Sequence, residues 1–447
     1  MTGCFRNRAG HMGLTRDIVG QHAIVDGYAA KDGSSFARGT KLFWISICTA
    51  ESMKLVQVRK QRAGDHLRII GLLDSSGPHP YVVFPEGLEG AVTESADAFV
   101  PALLVPCLEK GEPLEIVPPI SRSLATRIPR IVDVLLALFP NFHRVDVCVR
   151  SREESAIQSG NWVATLFSGG VDSFYSLLKG LSSHTATELR PTHLLFMHGL
   201  EQRLDESGGA DATLAVIEEV AQAFGVRVIC GQTNLRMLFG LNYELYYHAA
   251  ALIASGLVLS NGIRRLLVPS TYSYGQLIPW GSHPLLDELW STESMEVIHH
   301  GAEARRVEKV ADIAAHHPQV LKYLRVCLKN QAGPANCGRC GKCARTMMAL
   351  EIIGALAHVP TFPAVSRRIL ERTLRADSPI FVQELCDLAR RTGNDESIEF
   401  LNRVVRKQKR KQAIKTLVET TPVLAGLMPH FHRLRRRLRE ARLPAIS

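Results

Sequence analysis

Residues 168–173 read Ser-Gly-Gly-Val-Asp-Ser and follow directly on the apolar run Trp162 to Phe167. Beyond them Phe174, Leu177, Leu178 and Leu181 recur at i, i+3, i+4 and i+7, the spacing of one helix face. A strand, a serine–glycine turn and a helix start in that order make a cradle for an anion. The glycines let the backbone bend tightly, and the helix N-terminus supplies unpaired N–H groups and the positive end of its dipole. Ser168 and Ser173 add hydroxyls, Gly169, Gly170 and Val171 add backbone N–H groups, and Asp172 suits a Mg²⁺ ion better than a bare phosphate. The loop has no Gly-Lys-Ser/Thr, so it is not a Walker A sequence. A serine-capped glycine turn without a ligand would use the same six letters.

From 160 to about 326 apolar strand-like runs alternate with helical periods. Val163–Phe167, His193–Met197, Val226–Cys230 and Arg265–Val268 read as strands. Leu214, Ile217, Val220 and Phe224 mark one helix, and Glu244–Leu259 another. That alternation predicts a parallel sheet covered on both faces, with ligands at the carboxyl ends of its strands. Met197 and His198 close the second strand and so join the expected nucleotide site. The expected organisation is an α/β fold: a β-rich N-terminal domain over 1–155, a doubly wound parallel-sheet domain over 160–355, and a helical basic region over 356–447. In the first part, Leu42–Ile47, Leu67–Leu73 and Tyr81–Phe84 read as strands, as does Arg144–Val149, while Phe99–Leu108 and Ile128–Phe139 read as helices. No chemistry-bearing motif stands out there.

Cys337, Cys340 and Cys343 stand at x₂ spacing among glycines, and Cys327 lies nine residues before the first of them. Four thiolates on a loop suit a tetrahedral, closed Zn²⁺ site; a four-cysteine iron–sulfur cluster is the competing reading. No signal-peptide pattern opens the sequence, and Tyr246–Leu259 is interrupted by His248 and too short to span a bilayer. The chain therefore reads as cytoplasmic, where clustered cysteines point to metal and not to disulfides.

The phosphate loop resembles the SGGxDS motif of the PP-loop ATP pyrophosphatases. With Cys-x₉-Cys-x₂-Cys-x₂-Cys and Arg345 some 150 residues on, the pattern over about 160–350 resembles the 7-cyano-7-deazaguanine synthase family. The resemblance implies an adenine-nucleotide α-hydrolase-like sheet, ATP and Mg²⁺ at 168–173, and Zn²⁺ on the four cysteines. It also implies chemistry that splits ATP into AMP and pyrophosphate while activating a substrate oxygen for attack by ammonia or an amine. The acceptor would be a small molecule such as a deazapurine carboxylate, or a protein. Arg306 falls where that family carries a lysine, and with Ser168 and Asp172 it completes the expected catalytic set. His198 to Arg203 loosely matches the family's Tyr-Gly-Gln-Arg-His.

Two other functional classes fit the same letters. One is a PP-loop tRNA sulfurtransferase holding an iron–sulfur cluster, and the other is a nucleotide-binding partner protein without turnover.

Ser270–Tyr274 and Trp280–Pro284 could bind the substrate or the ATP phosphates or simply pack a loop, and His299 and His300 could be acid/base groups on a loop. The net charge of +10 is concentrated at the end: residues 403–447 hold thirteen Lys/Arg against Glu419 and Glu440, a net of +11, leaving about −1 for the first 402. Arg406–Lys411 and Arg433–Arg442, with interleaved leucines, read as a basic amphipathic helix able to touch RNA, anionic lipid or an acidic partner, or to remain solvated.

Overall fold

The computed structural model describes residues 52–153, 160–205, 209–327, 329 and 335–420. The strand expected at Leu42–Ile47 and the basic run Arg433–Arg442 lie outside them.

The strands in chain order are β1 (Met53–Ala63), β2 (His66–Leu73), β3 (Tyr81–Pro85), β4 (Leu114–Ile116), β5 (Ile120–Ser121), β6 (Val147–Val149), β7 (Arg152–Glu153), β8 (Trp162–Leu166), β9 (His193–His198), β10 (Arg227–Thr233), β11 (Ile263–Pro269) and β12 (Glu296–His300). The α-helices are α1 (Phe99–Lys110), α2 (Arg122–Leu138), α3 (Val171–Leu181), α4 (Gly209–Phe224), α5 (Leu235–Leu238), α6 (His248–Leu257), α7 (Pro284–Asp287), α8 (Arg306–His316), α9 (Gly341–Ile352), α10 (Arg367–Leu374), α11 (Pro379–Thr392) and α12 (Asp395–Thr420).

Ten strands form one sheet in the order β12-β11-β8-β9-β10-β3-β2-β1-β4-β6. The five strands from β12 to β10 are parallel throughout. Strand β3 then joins β10 antiparallel through Val82 opposite Thr233 and Val83 opposite Gln232. One sheet therefore holds strands from both the 1–155 and the 160–355 parts of the chain. Side chains reinforce that seam. Asn234 accepts from the Tyr81 N–H at 2.9 Å and donates to the His79 carbonyl at 2.8 Å, and the Thr233 hydroxyl donates to the Tyr81 carbonyl at 2.6 Å.

Successive residues of the parallel strands alternate between two cores, as the pleat requires. Leu195 and Met197 face the core shared with α1, α2 and α6, whereas Leu194 and Phe196 face the one shared with α3, α4, α8 and α9. Helix α3 forms because Val171, Phe174, Leu177 and Leu178 line its buried side. The chain steps from β8 outward to β9 and β10, then returns to the other side for β11 and β12. Strand order thus reverses beside β8, and a cleft opens at the carboxyl ends of β8 and β11 where ligands of open α/β sheets sit. The Ser-Gly-Gly loop occupies that point. No helix among the described residues is long and apolar enough to cross a membrane.

Candidate active site and metal centre

The loop leaving β8 turns at Gly169, whose φ of +77° is the left-handed region that glycine enters without strain. Gly170 is the N-cap of α3. Ser168, Gly170, Asp172 and Ser173 line the cleft with Met197. Gly169 does not line it; its carbonyl accepts the Arg325 N–H at 2.8 Å. Val171 packs in the core. Ser173 donates its hydroxyl to the Gly170 carbonyl at 3.0 Å, which leaves only oxygen lone pairs for anything else. His198 stands apart from the cleft wall, its Nε2 at 3.2 Å from the Arg203 carbonyl oxygen.

Asp172 is the electrostatic centre. Arg306 Nη1 donates to its Oδ2 at 2.5 Å, and Lys309 Nζ lies 3.7 Å from its Oδ1. Burial alone would raise the Asp172 carboxyl, but Arg306, Lys309 and Lys342 overcome that and hold it below the usual range. Asp172 is thus ion-paired within the protein, while its Oδ1 has no hydrogen-bond partner among the described residues. Arg306 sits at the first position of α8 because Val307, Val310 and Ile313 bury the helix against α3. Its neighbour Arg305 forms a capping box with Glu308 and an ion pair with Asp387 at 3.1 Å.

Lys309, one turn beyond Arg306, carried no signal in the sequence beyond helical spacing from it. The side chain is fully buried, and burial lowers its ammonium pKa while Asp172 opposes the shift. It donates to the Ser270 carbonyl at 2.6 Å and so ties the end of β11 to the Ser-Gly-Gly loop. Arg325 and Lys342 also reach the cleft, and Arg345 is held nearby by Asp377 at 3.1 Å and stacked over Phe381 at 4.0 Å. Asp172 Oδ1, Arg306 Nε and Arg345 Nε are buried without a hydrogen-bond partner. Cations in excess of carboxylates, with polar atoms left over, suit a multiply charged anion.

The loop after β11 divides between the two readings proposed for it. Thr271 and Ser282 line the cleft. Tyr272 and Trp280 pack instead, Tyr272 stacked on Phe381 with ring centroids 5.4 Å apart and edge-on to Trp280 at 5.8 Å. His299 and His300 are not on a loop: both belong to β12, and the pleat sends them to opposite faces. His299 Nδ1 is 2.8 Å from the fully buried Asp287, and His300 Nδ1 is 2.8 Å from the Ser176 hydroxyl. Burial lowers the His300 pKa to about 4, so it is neutral and structural.

The sulfurs of Cys327, Cys337, Cys340 and Cys343 all lie within 4.8 Å of one another, with Cys340 and Cys343 3.3 Å apart and Cys337 and Cys343 3.9 Å apart. Tetrahedral Zn–S bonds of ~2.3 Å place ligand sulfurs ~3.8 Å apart, so the group fits a metal ion such as zinc. Hydrogen bonds from the Cys340 and Cys343 thiols hold the Cys327 thiol far below its ordinary range, favouring a thiolate. Cys340 is the N-cap of α9, so the metal group and the cleft-lining Lys342 share one turn of helix.

Asn336 locks the segment that joins this centre to the phosphate loop. It accepts from the N–H groups of Val326 and Cys327 at 2.8 and 3.1 Å and donates to Leu324 and Thr361 at 2.9 and 3.0 Å. Asn336→Ala removes all these bonds at a buried position and is expected to destabilise the protein by about 2–4 kcal/mol. Urea unfolding checks this, with Asn336→Asp, which keeps both accepted bonds, expected to lose less.

No family model matches this chain, and neither does any curated protein or solved structure.

Proposed function

We propose that the protein is an ATP-dependent enzyme of the PP-loop type: an acceptor oxygen attacks the α-phosphorus and pyrophosphate leaves, then ammonia or an amine attacks the carbon bearing that oxygen and AMP leaves with it. The observation that carries this reading is the position of 168–173: a glycine turn opening α3 at the reversal of strand order, faced by Arg306 and Lys309. The parallel order β12-β11-β8-β9-β10 also accords with an adenine-nucleotide α-hydrolase-like sheet.

The nucleotide supplies a phosphoric anhydride whose cleavage drives the coupling. Ser168 and the backbone N–H groups at the start of α3 would bind the terminal phosphates, with Met197 on the wall beside them. Arg306 and Lys309, held by Asp172 until an anion competes for them, would stabilise charge on the departing pyrophosphate. Pre-set cations and N–H groups act here by orientation and electrostatics, and no side chain need form a covalent bond. Asp172, whose Oδ1 has no hydrogen-bond partner among the described residues, would hold a Mg²⁺ ion arriving with the nucleotide, which would offset phosphate charge. The acceptor would be a small carboxylate, a deazapurine among the possibilities, or a protein group. The four cysteines would hold zinc in a structural role.

The test is product identity. With ATP, ammonium and a small-molecule extract as acceptor source, turnover should yield AMP and pyrophosphate, and Arg306→Gln should slow it by about 10²-fold or more. Formation of ADP and phosphate, insensitive to that substitution, would overturn the reading.

A further inference from the structure

We propose that the outer half of α12 is a docking arm for nucleic acid, gripping the phosphate backbone without reading sequence. The first half of the helix belongs to the body: Phe400, Leu401 and Val404 are buried against neighbouring helices. Gln408 anchors the helix to the body, donating to the carbonyls of Leu374 and Asp377 at 3.0 and 3.1 Å. Every described side chain from Lys409 to Leu417 is exposed, yet the helix continues to Thr420. The packed half supplies the nucleus, so the outer turns need only propagate. The twelve residues beyond Gln408 span about 18 Å of helix at 1.5 Å per residue.

The charge on this arm selects the partner. Arg403 pairs with Glu399 and Lys407 with Glu371, whereas Arg406, Lys409, Arg410 and Lys411 make no ion pair among the described residues. Four cations within six positions point in several directions around the helix. A membrane-surface helix needs a broad apolar face opposite its basic one, and a coiled-coil partner needs an apolar seam. Between Lys409 and Leu417 only Ile414 and Leu417 are large exposed apolar residues, too few for either. A helix that presents several unpaired cations over much of its surface matches a polyanion whose charges line a groove. The stretch from Lys409 to Thr420 contains no aromatic residue, so base stacking is not part of the contact. The inference does not depend on the ATP reading, because the arm begins well beyond the cleft.

The experiment measures fluorescence anisotropy of labelled single-stranded RNA, duplex RNA and duplex DNA with the full chain across a salt series. A parallel arm uses sedimentation with anionic phosphatidylserine vesicles. Binding should weaken by about 10²-fold or more between ~50 and ~200 mM salt, as release of four or more counter-ions requires. Changing Arg406, Lys409, Arg410 and Lys411 together to Gln keeps good helix formers in place. It should lower the slope of log affinity against log salt by about 3–4 and leave the melting temperature of the body unchanged. Changing Arg406 and Arg410 to Lys should preserve the slope. An unchanged slope in the Gln variant, absent nucleic-acid binding by the wild type, or binding to vesicles alone would each overturn the proposal.

Discussion

Asp172→Asn is expected to destabilise the protein by about 3–5 kcal/mol, the usual cost of removing one partner from a buried ion pair. The reason is geometric. Arg306, with its side chain 5% exposed, and Lys309, with none exposed, would face each other with no carboxylate between them. Urea unfolding measures the loss. Millimolar pyrophosphate should restore part of it, because an anion in the cleft takes over the role of the missing counter-ion. Arg306→Met placed on top of Asp172→Asn should cost less than the sum of the separate changes, since it removes the uncompensated charge.

The pH dependence has a definite sign. Asp172 is held below the usual carboxylate range, so its contribution is present at neutral pH and is lost as pH falls through that lowered value. Wild type and Asp172→Asn should therefore converge only in acid, below the ordinary carboxyl value of about 3.9. A variant as stable as the wild type at neutral pH would show that the ion pair is not the organising element of the cleft.

Cys343→Ser is expected to abolish stoichiometric metal and to lower the melting temperature by about 10 °C or more. Structural zinc contributes on the order of 10 kcal/mol to folding free energy, and each kcal/mol shifts the midpoint by about 1 °C in a chain of this size. Cys343 is fully buried at the centre of the sulfur group, so a serine there can neither replace the ligand nor reach water. Elemental analysis of the wild type should give about one zinc per chain, and a strong chelator should reproduce the variant's melting curve. Iron in place of zinc, with visible absorbance, would favour the cluster-bearing sulfurtransferase. A wild type that carries no metal and ignores the chelator would leave the cysteines as core residues.

The two motifs were readable because each is written in a short stretch of chain. The glycine turn needs its six residues and the flanking periodicity, and three of the four cysteines fall within seven positions. What escaped depends on residues far apart in sequence. Lys309 looks like any lysine on a helix; only the fold shows it buried against Asp172, more than a hundred positions earlier. Strand β12 is five residues with two histidines, so its alternation was too brief to signal a strand, and the pair was read as a loop. Its pairing with β11 supplies what local propensity lacks. Asn336 gave no sign of its role, since its partners span Leu324 to Thr361. Asp172 was read from its residue type as a ligand for Mg²⁺; the cations that pair with it come from α8 and were invisible locally.

The seam between β3 and β10 bears on how this molecule can be taken apart. A fragment beginning near residue 160 would retain the glycine turn, the cations and the cysteines, yet it would end its sheet on a bare β10. The N–H and C=O groups of Gln232 and Thr233 that now meet Val83 and Val82 would become an open border, inviting other chains to pair there. The same border abuts the cleft: a Cβ on Gly199, two residues before the cleft-lining Glu201, would lie 1.9 Å from the Thr233 carbonyl oxygen. The half of the chain that holds the Ser-Gly-Gly turn and the four cysteines thus has no perimeter of its own. The strands ahead of it are the wall that closes it, and the smallest unit in which that turn can be studied includes both.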